Sequence, residues 1–347
     1  MIWGVVVTVF VTVLIAALLA KIGPLDHPRP RSRHQWPIAT GGGLAVIAGV
    51  MAGLLVYVLL EAPSPGLGRI PWVLAGGVLI ALLGALDDVF DFSPYIKLAV
   101  QLLVSIAFCT MIARVEVLPF APGYALDVGP ILGILGTTLW LIVMMNAYNF
   151  MDGSDGLAVG VQSIGLFTLA LVNPDRPLVA FALLAAAAAN IVFLPFNHPG
   201  KRLFQGDCGA LFSSFIIASA TVLQSTGNNP RVSMYIGVFV AAPFITDVLL
   251  TLLARARAGR RLFQAHNEHL YQRWLRVEGR TTGDLAWRVW GLTAACATLG
   301  FVVDQTNSGW SLPVLLALFA GLAVAWFLMD KRVAPLDPAP VPVTPAG

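Results

Sequence analysis

Pro130-Ile-Leu-Gly-Ile-Leu-Gly-Thr-Thr-Leu-Trp-Leu-Ile-Val-Met-Met145 is an uncharged apolar run that ends abruptly in Asn146-Ala-Tyr-Asn149-Phe-Met-Asp152-Gly-Ser-Asp155-Gly-Leu157. The first part reads as a helix for a membrane interior, and the second crowds two amides and two carboxylates onto its end. Asn146, Asn149, Asp152 and Asp155 recur every third residue, so they stack roughly along one side while the backbone stays helical. Gly153 and Gly156 then break the helix. Such acceptors at a broken helix end hold a cation, a ribose or a base edge, which Leu or Val cannot do. The plainer alternative is a polar loop between two membrane helices, but a solvent turn has no need of so many acceptors at one spacing.

Outward from this stretch the composition sets the class. With 58% hydrophobic residues, 11% charged and a mean hydropathy of +0.81, an ordinary soluble globule is excluded. The chain is expected to be an all-α polytopic membrane protein. Apolar runs of about 20 residues fall near Ile2–Ala20, Gly42–Leu60, Pro71–Leu86, Pro94–Ile112, Pro130–Met145, Leu157–Val172, Pro177–Pro195, Gly209–Leu223, Val232–Leu253, Leu285–Val303 and Leu312–Met329. That makes roughly eleven transmembrane helices. The first run has no basic residue before it and meets Lys21 at its far end, the reverse of a secretory signal, so it reads as a retained span. Cys109, Cys208 and Cys296 have no metal spacing and read as small core residues.

Loops after odd-numbered spans carry Lys21, Arg29, Arg31, Arg33, Lys201, Arg202 and the cluster from Arg255 to Arg280, whereas the opposite loops carry only Arg69, Arg114, Arg176 and Arg231. By the positive-inside rule the odd-loop side is cytoplasmic, the N-terminus outside and the C-terminus cytoplasmic. Asp26 and His34, Asp87 and Asp88, Asp152 and Asp155, Asp207, and His266 and His269 share that parity. Five polar loops thus converge on one membrane face, as a single active site requires. On the other face, Arg114-Val-Glu-Val117 and Ala125-Leu-Asp-Val128 alternate briefly around Pro122-Gly123 and suggest a small hairpin. Residues 1–333 read as the membrane domain, and the proline-rich segment 334–347 is expected to be a disordered tail, with too little to pack against to fold alone.

Gly84-Ala-Leu-Asp87-Asp88-Val-Phe-Asp91-Phe-Ser93-Pro94 ends span three. Carboxylates there meet the negative end of the helix dipole and call for a cation. Ser93-Pro94 reads as N-cap and first residue of span four, and places Lys97 and Gln101 one turn apart. Lys97 is either a snorkelling lysine or a phosphate-binding one, and the adjacent acids favour the second. Asp207, between Gly206 and Gly209, is either an N-cap or a metal ligand placed among phosphates. His266-Asn-Glu-His269-Leu-Tyr-Gln-Arg273 puts two histidines at i and i+3, suited to one helix face and to donating to a diphosphate; a zinc site is weakly supported. Arginines of this loop alone need be no more than attraction to an anionic leaflet.

Together these blocks resemble the polyprenyl-phosphate N-acetylhexosamine-1-phosphate transferases. The resemblance rests on Asp-Asp-x-x-Asp-x-Ser-Pro-x-x-Lys at 87–97, Asn-x-x-Asn-x-x-Asp-Gly-x-Asp-Gly-Leu at 146–157, Gly-Asp-x-Gly at 206–209, the histidine loop, and Asp26, Pro28, Arg31, His34, Pro37 and Gly41-Gly42. Ser32, Ala39 and Ala210 depart from the usual lysine, proline and serine. The resemblance implies transfer of an N-acetylamino-sugar 1-phosphate from a UDP-sugar to undecaprenyl phosphate, releasing UMP and using Mg²⁺, with Mn²⁺ as a second candidate. It assigns Asp87, Asp88 and Asp207 to the metal and to catalysis with Lys97. It assigns His34, Asn149, Asp152, Asp155, Asn197, His266, His269 and Arg273 to substrate. It further implies an inner-membrane enzyme of the O-antigen branch, with a UDP-N-acetyl-fucosamine or quinovosamine donor and UDP-GlcNAc as alternative. Membrane lipid would surround it, a homodimer is an allowed assembly, and no nucleic acid partner is implied. The rivals are an intramembrane prenyltransferase, which should carry a second Asp-rich motif and release pyrophosphate, and a transporter, which would place its ionisable groups near the bilayer midplane.

Overall fold

The computed structural model describes residues 1–28, 36–60, 68–198, 202–226, 234–262, 266–277 and 279–336. Every apolar run of the sequence is a helix: α1 Ile2–Ile22, α2 Gly43–Leu60, α3 Ile70–Phe90, α4 Pro94–Met111, α5 Gly129–Met151, α6 Leu157–Leu171, α7 Pro177–Asn197, α8 Gly206–Ser225, α9 Ile236–Arg257, α11 Thr282–Asn307 and α12 Ser311–Val333. A short helix, α10 Leu270–Arg276, lies between α9 and α11. Among the described residues ten helices are long and apolar enough to cross a membrane. The eleventh expected span, α6, is apolar but has only 15 residues. The sequence reading took its run, Leu157–Val172, for a full crossing; the helix keeps those bounds to within one residue and is too short for one.

Helix α8 is the axis of the bundle. From Cys208 to Gln224 every residue is buried, and α2, α3, α5, α6 and α9 pack against it. Its residues facing α3 and α4 include Phe212 and Phe215, the latter edge-on to Phe108 with ring centroids 6.0 Å apart. Helix α3 approaches α8 so closely that a Cβ on Gly84 would stand 2.5 Å from the carbonyl carbon of Asp207. Only a residue without a side chain permits that crossing, and it brings the end of α3 onto the start of α8. Helices α1 and α12 lie at the periphery, where their apolar side chains face outward, as lipid-facing surfaces do. Cys109, Cys208 and Cys296 are unpaired and buried, as expected.

Two small sheets decorate the ends. β3 Val117–Ala121 pairs antiparallel with β4 Tyr124–Asp127, which is the expected hairpin. Its first strand begins later than the alternation suggested, because Arg114 pairs with Glu116 at 2.6 Å and Val115 N–H donates to Thr137 Oγ1. A polar cavity of about 510 Å³ opens beside it, lined by Arg69, Arg114, Glu116 and Thr226. At the opposite end β1 Leu25–Asp26 pairs with β2 Ile38–Ala39. Phe204 N–H donates to Ala39 O and Gly42 N–H to Phe204 O, both at 2.8 Å, so the first loop is stitched to the segment that leads into α8. Of the tail, residues 334–336 form a single turn; residues 337–347 lie outside the described ones.

Candidate active site

The ends of α3, α5 and α7 and the starts of α4 and α8 meet at one end of the bundle. Helix α3 stops because Asp91 takes a left-handed conformation, φ 51°. Ser93 then caps α4, its hydroxyl accepting from Ile96 N–H, with Pro94 as first residue, as read from the sequence. This reversal turns Lys97 back toward the end of α3. Asp87, buried, accepts from Phe92 N–H at 2.9 Å through one oxygen and from Lys97 Nζ at 2.7 Å through the other. Lys97 Nζ is also 4.0 Å from Asp207. Asp88 accepts from Asp207 N–H at 3.3 Å, which laces the α3 end to the first turn of α8. The N-cap of α8 is Gln205, so Asp207 is not a cap. It stands in the first turn, where the helix dipole favours negative charge.

Helix α5 delivers the amides and carboxylates with which the sequence reading began. Asn146 donates to Gln101 Oε1 at 2.7 Å and to Ile142 O at 2.8 Å. Asn149 hydrogen-bonds the Asp207 carboxylate. Asp152 is the C-cap of α5. Burial first, and then the charges of Asp207, Asp88 and Asp155, push its carboxyl well above the usual range. Gly156, φ 73°, begins α6. Its amide donates to Asn197 Oδ1 at 2.6 Å while Asn197 Nδ2 donates to Leu203 O at 3.2 Å. Asn197, expected among substrate ligands, is therefore a buried strut holding two loops together, with both ends of its amide used by the protein.

The histidine loop departs from its reading in one respect. His266 and His269 do not share a helix face: His269 is the N-cap of α10, with Gln272 Oε1 accepting from its backbone N–H, and His266 precedes the helix. Their rings still lie 4.9 Å apart. Burial, mutual repulsion and Arg255 push His266 down to about 4, and burial and Arg255 do the same to His269, so both are neutral at pH 7. Tyr271 hydroxyl donates to Phe150 O at 3.0 Å, which docks this loop on the end of α5. Arg273, expected to face substrate, forms an ion pair with Asp330 of α12. His34 lies outside the described residues.

Among the described residues no three His, Cys, Asp or Glu groups close into a ready metal-binding cluster. The donor set nevertheless fits a hard divalent cation. Asp87, Asp88 and Asp207 converge with one ammonium among them, and burial, then the carboxylates of Asp207, Asp88 and Asp155, raise the Asp152 carboxyl. Such a surplus of oxygen ligands and negative charge is what Mg²⁺ or Mn²⁺ neutralises. Sequence reasoning missed the buried network that seats this region: Gln205 Nε2 donates to Gln162 Oε1 at 2.9 Å, and Asn190 Nδ2 to Ser213 Oγ at 3.3 Å. Polar residues inside Gln162-, Asn190- and Ser213-bearing apolar runs were the available signal.

Glycosyl transferase family 4 matches residues 70–225, from α3 through α8, which include Asp87, Asp88, Lys97, Asn149, Asp152, Asp155 and Asp207. The chain is 30% identical over 301 residues to the decaprenyl-phosphate N-acetylglucosaminephosphotransferase of Mycobacterium leprae, covering 78% of this chain and 75% of that protein. It is 28% identical over 267 residues to a probable undecaprenyl-phosphate N-acetylglucosaminyl 1-phosphate transferase of Bacillus subtilis, covering 76% and 73%. A third relative, the undecaprenyl-phosphate alpha-N-acetylglucosaminyl 1-phosphate transferase of Thermotoga maritima, is 28% identical over 275 residues, covering 78% and 80%.

Proposed function

Because the chain belongs to glycosyl transferase family 4, the polyprenyl-phosphate N-acetylhexosamine-1-phosphate transferases, we propose that it transfers an N-acetylamino-sugar 1-phosphate from a UDP-sugar to undecaprenyl phosphate. The coarse reaction, moving a sugar 1-phosphate onto a polyprenyl phosphate, follows from the relatives. The names of the relatives favour N-acetylglucosamine as the sugar, ahead of N-acetyl-fucosamine or quinovosamine. The active end of the bundle faces the cytoplasm in this reading, where the basic loops place it.

The observation that carries the chemistry is Lys97 set 2.7 Å from Asp87 and 4.0 Å from Asp207 at the junction of three helix ends. An oxygen of the lipid phosphate attacks the sugar-bearing phosphorus of the donor, a P–O bond forms there, and the bond to UMP breaks. A phosphate monoester with a second pKa of about 6 is already largely dianionic at neutral pH, so no base is required to create the nucleophile. Asp87 agrees with that economy: both its oxygens already accept, from Phe92 N–H and Lys97, so it orients the ammonium rather than removing a proton. Lys97 binds phosphate oxygens as charge builds on them. Asp88 and Asp207, with Asp87, would hold Mg²⁺, which supplies charge neutralisation for the diphosphate when bound. Asn149 steadies Asp207, and His266 and His269, on the next loop, hold the donor diphosphate.

The test is product analysis with purified protein, undecaprenyl phosphate and a panel of UDP-N-acetylamino sugars. UMP with a lipid-linked sugar diphosphate is expected, and most rapidly from UDP-GlcNAc. Release of pyrophosphate, or no turnover of any UDP-sugar with Mg²⁺ or Mn²⁺, would overturn the assignment.

A further inference from the structure

Helix α9 carries Asp247, Thr251 and Arg255 one turn apart, and all three are buried although the helix crosses the membrane. Ionisable side chains inside a span are costly and are kept where they are partnered and used. Here each is committed to the histidine loop. Asp247 accepts from Leu270 N–H at 2.9 Å, from Trp326 Nε1 of α12 at 2.8 Å and from Thr251 at 3.2 Å. Its second oxygen lies 4.0 Å from His269 Nδ1. Two turns along, Arg255 pairs with Glu268 and donates to Arg261 O at 2.7 Å. The loop is therefore fastened to α9 at Arg261 and Glu268 by one residue and at Leu270 by the other. His266 and His269 fall within the stretch those fastenings span.

We propose that Asp247 and Arg255 are positioning residues for the nucleotide-sugar donor: they hold the histidine pair at the height and spacing that a diphosphate needs, without touching it. This rests on the reading that His266 and His269 bind the donor diphosphate. The residue types suit the task. A carboxylate accepts from a backbone amide, an indole and a hydroxyl together, whereas an amide in its place turns a donor toward some of them. A guanidinium fork reaches a carboxylate and a carbonyl at once, and an ammonium lacks that fork. Neither residue faces Asp87, Lys97 or Asp207, so the lipid phosphate should not sense their loss.

The experiment is steady-state kinetics in both substrates for Asp247→Asn, Arg255→Lys, Trp326→Phe, His266→Ala and His269→Ala, with melting temperature and amide hydrogen exchange measured on the same protein without substrate. Asp247→Asn and Arg255→Lys are expected to raise KM for the UDP-sugar about tenfold while KM for undecaprenyl phosphate stays within about twofold. Faster exchange at Leu270 and its neighbours should accompany Asp247→Asn. Trp326→Phe, which removes one donor and keeps the ring, should show the same pattern more weakly even if Asp247→Asn does not fold. Equal loss in both substrates, or unchanged donor KM in the folded Arg255→Lys and Trp326→Phe variants, overturns the positioning role. Should His266→Ala and His269→Ala themselves leave donor KM unchanged, the fault lies in the donor-diphosphate reading, and the two failures are thereby told apart.

Discussion

Lys97 stands between two carboxylates, and the sequence left it balanced between a snorkelling lysine and a phosphate ligand. The structure turns its ammonium onto Asp87 at the end of α3. Lys97→Met should fold, since the side chain is partly exposed and Met fills a similar volume, yet lose transfer by about a hundredfold or more, as expected when a charged group that binds the transferring phosphate is removed. Asp207→Asn keeps shape but not charge and should abolish transfer together with Mg²⁺ dependence; near-normal rates would reduce Asp207 to a structural acid. His266→Ala and His269→Ala should each cost roughly ten- to hundredfold, the equivalent of one charge-assisted hydrogen bond of about 1.5–3 kcal/mol. The same histidines make a pH prediction. Their folded values near 4 lie below the ordinary 6.5, so the unfolded chain takes up protons first as pH falls. Their stability contribution is whole above about pH 6.5 and is lost between there and about pH 4. Melting temperature measured across that window should fall less steeply in His269→Asn, which retains a capping side chain, than in wild type; parallel curves would refute it. What the sequence did not disclose at this scale was contact made from afar. The resemblance assigned Asn197 to substrate, and only the structure reveals its partners, Gly156 N–H and Leu203 O, which make it a strut between two loops.

At the scale of elements, the caps and breaks were legible because each depends on neighbours in sequence. Ser93-Pro94 opened α4, and Gly153 and Gly156 closed α5 and opened α6, as their chemistry dictates. The histidine loop was not, because a short helix started by a histidine has no periodic signal of its own, and what fixes α10 is Asp247 more than twenty residues away along the chain. Nor was the β1–β2 pair, whose strands have two residues each. The crossing of α3 over α8 yields a prediction of its own. Gly84→Ala places a methyl 2.5 Å from Asp207 C, so the helices must separate and carry Asp88 away from Asp207 N–H. Transfer should drop at least about tenfold, on the scale that small misplacements of reacting groups produce, with helical content by circular dichroism unchanged. Wild-type activity would mean that the junction tolerates the wedge.

For the whole molecule, the places and order of the long helices could be read from hydropathy, since a backbone in lipid has no other way to satisfy its hydrogen bonds, whereas α6 falls short of the crossing expected of it and α10 was not foreseen. The meeting of the odd loops could be read from charge parity, and the contacts of residue 39 with 204, 88 with 207 and 156 with 197 bear it out. Which side of the membrane they face is the remaining prediction. In intact cells an impermeant thiol reagent should label Tyr124→Cys in the hairpin and miss Arg261→Cys; the reverse pattern would invert the proposed topology. The native cysteines are buried and give little background. Helix α6 carries one further consequence. Its 15 residues span about 22 Å at 1.5 Å each, against a hydrocarbon layer of about 30 Å. Most of it is walled in by protein rather than lipid, so its shortfall is met by neighbouring helices instead of by a thinned bilayer.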